Sequence, residues 1–475
     1  MNEFLSYFFQ SLPYAIAAAL GILPPLLGIW IYRNYGAGLG VFVFAMLINA
    51  WLPNTVALDL GVRLYLMDLI TLLMVPVVLL RLAFVRQARV HSLALYAFIA
   101  IVAINLAQGL LQFRSQAGVT ARPDVYSLVA LTYAMTFPAD AQRVNTLMRA
   151  LLWAVGGLFA LVCFRWLAVG FQIDALLPRS GSFQPRGHSV WRVIISSETL
   201  LLAQIAVVGG FFAHSVPALR RWRALAWVLL ISVVVLQHRS TWVALLAAIV
   251  AAVGLMFGRD SNARRVTFAL LLVGAVGVAM VVGGAGGNVS EDVERSAGDA
   301  VELKGTAAER LGNWRQLVLK WSGGGARTLA LGVPFGTNTV HYASDDLSAR
   351  KIAYQAHNYY VTVLTELGSL GLAAYLLIWF QVLRGLLIAV REHGDTAALL
   401  FTLLAAQAAY YLTYGTDYVQ ALILGTALSY VAARKHEAGV LKARVAAAKV
   451  NAPARWPMPA RGGRVGAQVS RARNP

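Results

Sequence analysis

The sequence predicts an all-α polytopic membrane protein, and three observations predict it. Of 475 residues, 59% are hydrophobic and only 13% are charged, whereas soluble domains average about 25% charged residues. Apolar runs recur from Leu12 to Val431 instead of gathering at one end. Most approach the roughly 20 residues that a helix needs to cross a hydrocarbon core. That distribution excludes a soluble enzyme on a single anchor.

The runs lie near 13–32, 37–52, 64–85, 92–112, 124–138, 147–171, 193–214, 224–237, 240–257, 266–284, 358–390, 397–413 and 418–433, which gives 12 or 13 spans. Pro24-Pro25, Asn34 and Pro53 interrupt the first two, so the side of the N-terminus stays open. The start lacks a basic region and a small-residue cleavage site, and no cleaved signal peptide is expected. Four parts result: helices with short loops over 1–284, a long loop over 285–356, a second helical group over 357–433, and a tail over 434–475. Cys163 is the only cysteine and sits inside the run Leu151 to Val169. It can build neither a disulfide framework nor a thiolate metal site.

Net charge is +19, which in a soluble chain would point to nucleic acid. Here the cations lie between apolar runs and in the tail, so membrane lipids and not nucleic acid are the expected surface. Lys and Arg in short loops resist translocation. One set of alternate loops holds Arg86, Arg89, Arg143, Arg149, Arg220, Arg221, Arg223, Arg259, Arg264, Arg265 and Arg391, followed by the tail from Arg434. This set is assigned to the cytoplasm. The tail carries ten basic residues against Glu437 alone, and is expected to be disordered along anionic headgroups. The opposite set faces outward: Gln172 to Arg192, the turn at His238-Arg239, the 72-residue segment Ala285 to Ala356, and the turn Tyr414 to Tyr418. A loop of that length is usually functional or a folded cap. Leu311, Trp314, Leu317, Val318 and Trp321 fall at helical spacing within it, which predicts a helix over Thr306 to Trp321.

A site facing outward has no nucleotide pool, so group transfer there needs a donor that is already activated and membrane-borne. Lipid diphosphate sugars meet that need, and arginine forks match their phosphate oxygens. The outward set offers Arg179, Arg186, Arg192, Arg239 and Arg310. Arg239 is the sharpest, because Gln237-His238-Arg239-Ser240 separates two apolar runs with almost no loop; snorkelling or a helix cap is the alternative. Arg186 and Arg192 flank Gly187-His188, where solvated loop charges are equally plausible. Arg310 opens an amphipathic segment, where a surface Glu-Arg helix start is the alternative.

His357 stands where the long outer segment enters an apolar run. A neutral imidazole there can take a proton from a sugar hydroxyl, a step worth roughly 10²- to 10⁴-fold; a structural histidine is the alternative. His188, His238 and His341 face the same way without comparable context. Asp417 can orient His357, bind sugar hydroxyls or pair with an arginine. Asp68, Arg165, Glu198 and Glu366 fall within apolar runs, where an ionisable group is functional by default or pairs with a neighbour. No H-E-x-x-H, D-x-D or Cys/His cluster occurs, so no metal and no cofactor are expected. The glycine runs at Gly283 and Gly323 do not end in Gly-Lys-Ser/Thr and are not phosphate-binding loops.

Three segments resemble the O-antigen ligase and polymerase superfamily of bacterial membrane glycosyltransferases, and more closely its ligase branch. The first is His357-Asn358, nine residues, then Gly368-Ser369-Leu370-Gly371 running into Leu372-Ala373-Ala374-Tyr375-Leu376, similar to the family's H-N-x9-G-x-x-G pattern. The second is Gln237-His238-Arg239-Ser240-Thr241-Trp242, similar to its arginine-serine turn. The third joins Arg310-Leu311-Gly312-Asn313-Trp314 to Leu331-Gly332-Val333-Pro334-Phe335-Gly336, which resembles its R-x-x-x-W helix and G-x-G loop, with Pro334 as a departure. The resemblance covers roughly Arg179 to Tyr430. It implies about 12 transmembrane helices, a GT-C-like fold with a large, partly helical periplasmic loop, and an active site facing the periplasm from the bacterial inner membrane. The implied reaction moves a polysaccharide from undecaprenyl diphosphate onto the lipid A core without metal. Carried over, His357 is the base, Arg239 and Arg310 are the diphosphate-binding cations, Asp417 is a supporting acid, and Asn358 belongs to the substrate site with Arg186 and Arg192.

An O-antigen polymerase and a protein O-oligosaccharyltransferase share the donor and differ in the acceptor, which no motif marks. A secondary transporter or flippase, with Asp68, Arg165 and Glu198 as coupling groups, is the reading from a different class. It predicts inverted repeats with paired broken helices, and none is evident in the sequence.

Overall fold

Away from water every backbone N–H and C=O needs a partner inside the protein, and a helix supplies those partners within one segment. The long apolar runs therefore fold as helices. The computed structural model describes residues 23–52, 56–59, 63–85, 92–171, 173, 192–256, 266, 306–337 and 356–450. They form α1 over 23–33, α2 Tyr35–Trp51, α3 Leu66–Phe84, α4 Leu93–Phe113, α5 Ser115–Met135, α6 Ala141–Gly170, α7 Ser196–Phe212, α8 Pro217–Arg220, α9 Arg223–Val235, α10 Arg239–Met256, α11 Thr306–Ser322, α12 Ala326–Leu331, α13 Tyr359–His393, α14 Asp395–Tyr411 and α15 Tyr418–Val450. Five of these, α3, α4, α6, α10 and α13, are long and apolar enough to cross a membrane. Leucines and aromatics such as Leu93, Leu111, Phe84 and Trp153 are exposed on their flanks. A water-soluble surface rarely carries so much contiguous apolar area, whereas a lipid-facing one requires it.

The tail from Arg434, expected to be disordered, instead continues α15 as helix to Val450, and two further departures from the sequence expectation have local causes. A short antiparallel hairpin, β1 Val56–Asp59 and β2 Arg63–Tyr65, joins α2 to α3, with Val56 opposite Tyr65 and Asp59 opposite Arg63. The all-helical expectation omitted it. Helix α5 begins at Ser115, well before the apolar run that predicted it. Its polar first turns are held by specific partners: Arg122 pairs with Asp68 at 3.1 Å and Asp124 accepts from Tyr359 Oη at 2.7 Å. Hydropathy cannot register a helical stretch that is stabilised this way.

Polar contacts define two ends of the helix array. At one end Arg81 of α3 donates to Thr136 Oγ1 at 2.8 Å and lies 3.5 Å from the centre of the Phe137 ring. Ser215, following α7, meets Asp395 at the start of α14 there. The other end gathers the C-terminus of α4, the N-termini of α5, α7, α10, α13 and α15, and helices α11 and α12. Arg165, almost fully buried, ties this end by donating to Ala50 O and Val193 O, both at 2.7 Å. Between the ends, Gln204 of α7 and Gln420 of α15 exchange reciprocal amide hydrogen bonds of 2.8 Å. Such pairs hold helices together where burial alone supplies little drive.

The loop after α12 crosses α13 at a break. Gly368 has φ 69° and ψ −173°, and Gly332 has φ 77°. A Cβ on Gly368 would lie 2.4 Å from the Ala330 carbonyl, and one on Gly332 2.4 Å from that of Glu366. The two backbones touch, and only glycine fits either side. Asn105 of α4 donates from Nδ2 to Leu331 O at 2.5 Å and Glu366 O at 3.1 Å, while Val333 N–H donates to Thr365 O at 3.0 Å. The carbonyls released by the break are thereby paired. Gly368→Ala is expected to lower the unfolding temperature in detergent by several degrees, since both the backbone conformation and the contact forbid a side chain. Gly254→Ala, on an open face of α10, is expected to leave it unchanged or slightly raised.

Candidate functional site

The site lies at the end that carries the N-termini of α10 and α13. The turn between α9 and α10 is as tight as predicted: Gln237 takes φ 53° and α10 starts at Arg239. Ser196 at the start of α7 fixes it, through Oγ contacts of 2.8 Å to Ser240 and 3.4 Å to Thr241. His238 Nε2 bonds Ile194 O at 2.9 Å. A carbonyl only accepts, so Nε2 carries the proton. Burial first, and the Arg192 charge as well, lower this imidazole to about 4.

His357 stands at φ 48°, outside the usual range for a side-chain-bearing residue. Its neighbours hold it there. Trp314 Nε1 donates to Ala356 O at 2.6 Å, Asn358 Oδ1 caps α13 by accepting from Val361 N–H at 3.1 Å, and Tyr359 N–H donates to Tyr414 O at 3.0 Å. Gln237, His357 and Arg114, the last at the α4–α5 turn, are the three non-glycine residues with positive φ among the described residues, and all sit at this end. Strain of this kind, of order 1–3 kcal/mol each, collects at functional sites.

Tyr414 organises the centre. Its ring stacks on Tyr410 with centroids 5.3 Å apart, receives the His357 ring edge-on at 5.3 Å, and lies 5.3 Å beneath the Arg310 guanidinium. Arg310 also reaches Thr413 O at 3.4 Å. Desolvation, then the Arg310 charge, lowers the His357 pKa below its ordinary value. Partial desolvation and the charges of Arg239 and Arg310 likewise lower that of Arg192. Arg239 and Arg310 thus both lie near enough to act on Arg192, and Arg310 also acts on an imidazole biased towards its neutral form. The arrangement suits a multiply charged anion next to a proton acceptor.

Among the predicted residues, the structure brings together Arg192, Arg239, Arg310, His357 and Asn358. Asn358 spends its side-chain oxygen on the helix cap. Asp417 Oδ1 accepts from Val419 N–H at 2.7 Å at the start of α15, and burial raises its pKa; among the described residues it forms no ion pair. Arg186, with Arg179, His188 and His341, lies outside the described residues. Asp68, Arg165 and Glu198 have structural partners: Arg122 and Tyr126 for Asp68, two carbonyls for Arg165, and the Ile195 N–H at 3.1 Å for Glu198. Hydropathy and motif spacing had not singled out Tyr414, Trp314 as a backbone clamp, or Asn105. For Tyr414 the available signal was the tyrosine-rich turn Tyr410-Tyr411 to Tyr414.

No protein-family model matches the chain, and no curated protein matches it. The functional reading therefore rests on the residues and their geometry. In a histidine-selective NMR titration, His238 is expected to stay neutral down to about pH 4. An unfolded chain takes up that proton near 6.5, so the contribution of His238 to stability is complete above 6.5 and lost as the pH falls towards 4.

Proposed function

We propose that this protein is a membrane glycosyltransferase of the O-antigen ligase kind. On this reading it is a GT-C-like array of about 12 transmembrane helices in the bacterial inner membrane, with its C-terminus in the cytoplasm and its site facing the periplasm. The donor is a polysaccharide on undecaprenyl diphosphate and the acceptor a sugar hydroxyl of the lipid A core. The observation that carries the reading is Arg310 and His357 on the Tyr414 ring, with Arg192 near enough to feel the charges of both Arg310 and Arg239.

In the transfer, His357 accepts the proton of the acceptor hydroxyl. The hydroxyl oxygen bonds to the anomeric carbon as the bond from that carbon to the diphosphate oxygen breaks, with inversion. Undecaprenyl diphosphate leaves with the electron pair, and the guanidinium groups stabilise the developing charge. Electrostatic stabilisation of this type is usually the largest catalytic contribution. Proton abstraction requires neutral imidazole, and the neighbouring Arg310 charge helps keep it neutral. Two of the coupling groups of the transport reading, Asp68 and Arg165, are engaged by structural partners.

A polymerase would use the same donor site, so the test varies the acceptor. Purified protein is given lipid-linked glycan with lipid A core, and separately without it. Glycan on the core supports the ligase reading. Longer lipid-linked glycan points to a polymerase, and no transfer under either condition overturns the proposal. His357→Ala is expected to lower the single-turnover transfer rate by about 10²- to 10⁴-fold, and Arg239→Ala by about 10²-fold or more. The acid limb of the wild-type rate profile is expected below the ordinary histidine pKa, with activity lost as the pH falls through it. Wild-type transfer by His357→Ala would remove this residue from the mechanism.

A further inference from the structure

The outer segment was expected to be a cap above the helices, yet its contacts run down along them. Arg310 of α11 reaches Thr413 and Tyr414, level with the start of α13. The end of α12 and the loop after it touch α13 at Thr365, Glu366 and Gly368, and α4 at Asn105. Glu366 lies eight residues inside α13 from its cap Asn358, and Asn105 lies eight residues inside α4 from its last residue Phe113. At 1.5 Å per residue both intervals are about 12 Å. Two helices of opposite direction thus report the same depth. From there the chain climbs back, because Phe335 meets Gly109 and Gly336 meets Phe113 and Ala117.

The surroundings at that depth are apolar. Ile104 of α4, beside Asn105, is 44% exposed and Leu370 of α13 is 53% exposed. Arg327 of α12 bonds Gln108, one turn below Leu111. Irregular backbone survives at such depth only where protein covers it, and here Gly332, Phe335 and Gly336 are buried while Asn105 satisfies the carbonyls. Helix α11 itself has two sides. Asn313, Trp314 and Leu317 turn inward, whereas Leu311, Val318 and Leu319 are exposed along with Arg315, and Leu319 is 59% exposed.

We propose that Thr306–Thr337 is a re-entrant element that dips about 12 Å below the helix ends and lays the stripe Leu311, Val318 and Leu319 against lipid acyl chains. The segment that follows the stripe reaches the depth at which Ile104 and Leu370 are exposed and apolar, which commits the stripe to the same solvent. Arg315 extends its guanidinium to the headgroups along an apolar stem. One helix thereby carries a lipid-contacting face on one side and Arg310, over Tyr414, on the other. The proposal depends on membrane embedding and not on glycosyl transfer.

Site-directed spin labelling tests it on the full chain without donor or acceptor. In a Cys163→Ser background, Val318→Cys, Leu319→Cys, Gln316→Cys and Lys320→Cys are labelled singly in vesicles of phosphatidylcholine and phosphatidylglycerol. All four positions are surface ones, and unchanged elution of the labelled protein in detergent checks the fold. At Val318 and Leu319, collision with oxygen is expected to exceed collision with a water-soluble nickel chelate several-fold, and at Gln316 and Lys320 the order reverses. Greater nickel access at Val318 and Leu319 would return the segment to an aqueous cap. Exclusion of both reagents there would mean that protein covers the stripe, and would equally overturn the proposal.

Discussion

Backbone polar groups that leave water must find protein partners, and one crossing shows how far the fold is organised by that constraint. Helix α13 breaks at Gly368, and the loop after α12 enters the gap with Gly332 against its backbone. Asn105 then collects the carbonyls that the break sets free. Because both glycines lack side chains, the loop comes close enough for Val333 to bond Thr365. This joint ties α4, α12 and α13 into one unit.

The position of that joint governs the chemistry above it. Trp314 of α11 holds the Ala356 carbonyl, and Arg310, one turn earlier on the same helix, lies over Tyr414. Moving α11 would therefore shift a cation and the histidine backbone together. The remaining cations arrive on independent supports: Arg239 through the Ser196 and Ser240 contact, and Arg192 just ahead of α7. Like charges repel, so such a gathering has to be held by the scaffold. Its consequence is a site prepared for an anion, with His357 biased to the uncharged state that accepts a proton.

The charged residues within the apolar runs divide by their partners. Asp68 with Arg122, and Arg165 with the Ala50 and Val193 carbonyls, join helices at the same end as the site. These groups cost desolvation energy and regain it through charge-assisted hydrogen bonds. Their work is to hold α2, α3, α5, α6 and the start of α7 in place.

The sequence by itself determined the helical runs, because apolar length and hydropathy are local properties. It also marked Arg239 and His357, each a polar interruption at the edge of an apolar run, and Arg310, which opens an amphipathic segment. It left open whether Asp417 orients His357, binds sugar hydroxyls or pairs with an arginine; the tertiary structure shows its carboxylate accepting from the Val419 N–H at the start of α15. The early beginning of α5, the hairpin between α2 and α3, and the Asn105 clamp were likewise hidden, because their stabilising partners are remote in sequence. Tyr359, which donates to Asp124, is 235 positions away from it. Spacing along a chain states which groups share a helix face; which faces meet is settled by packing.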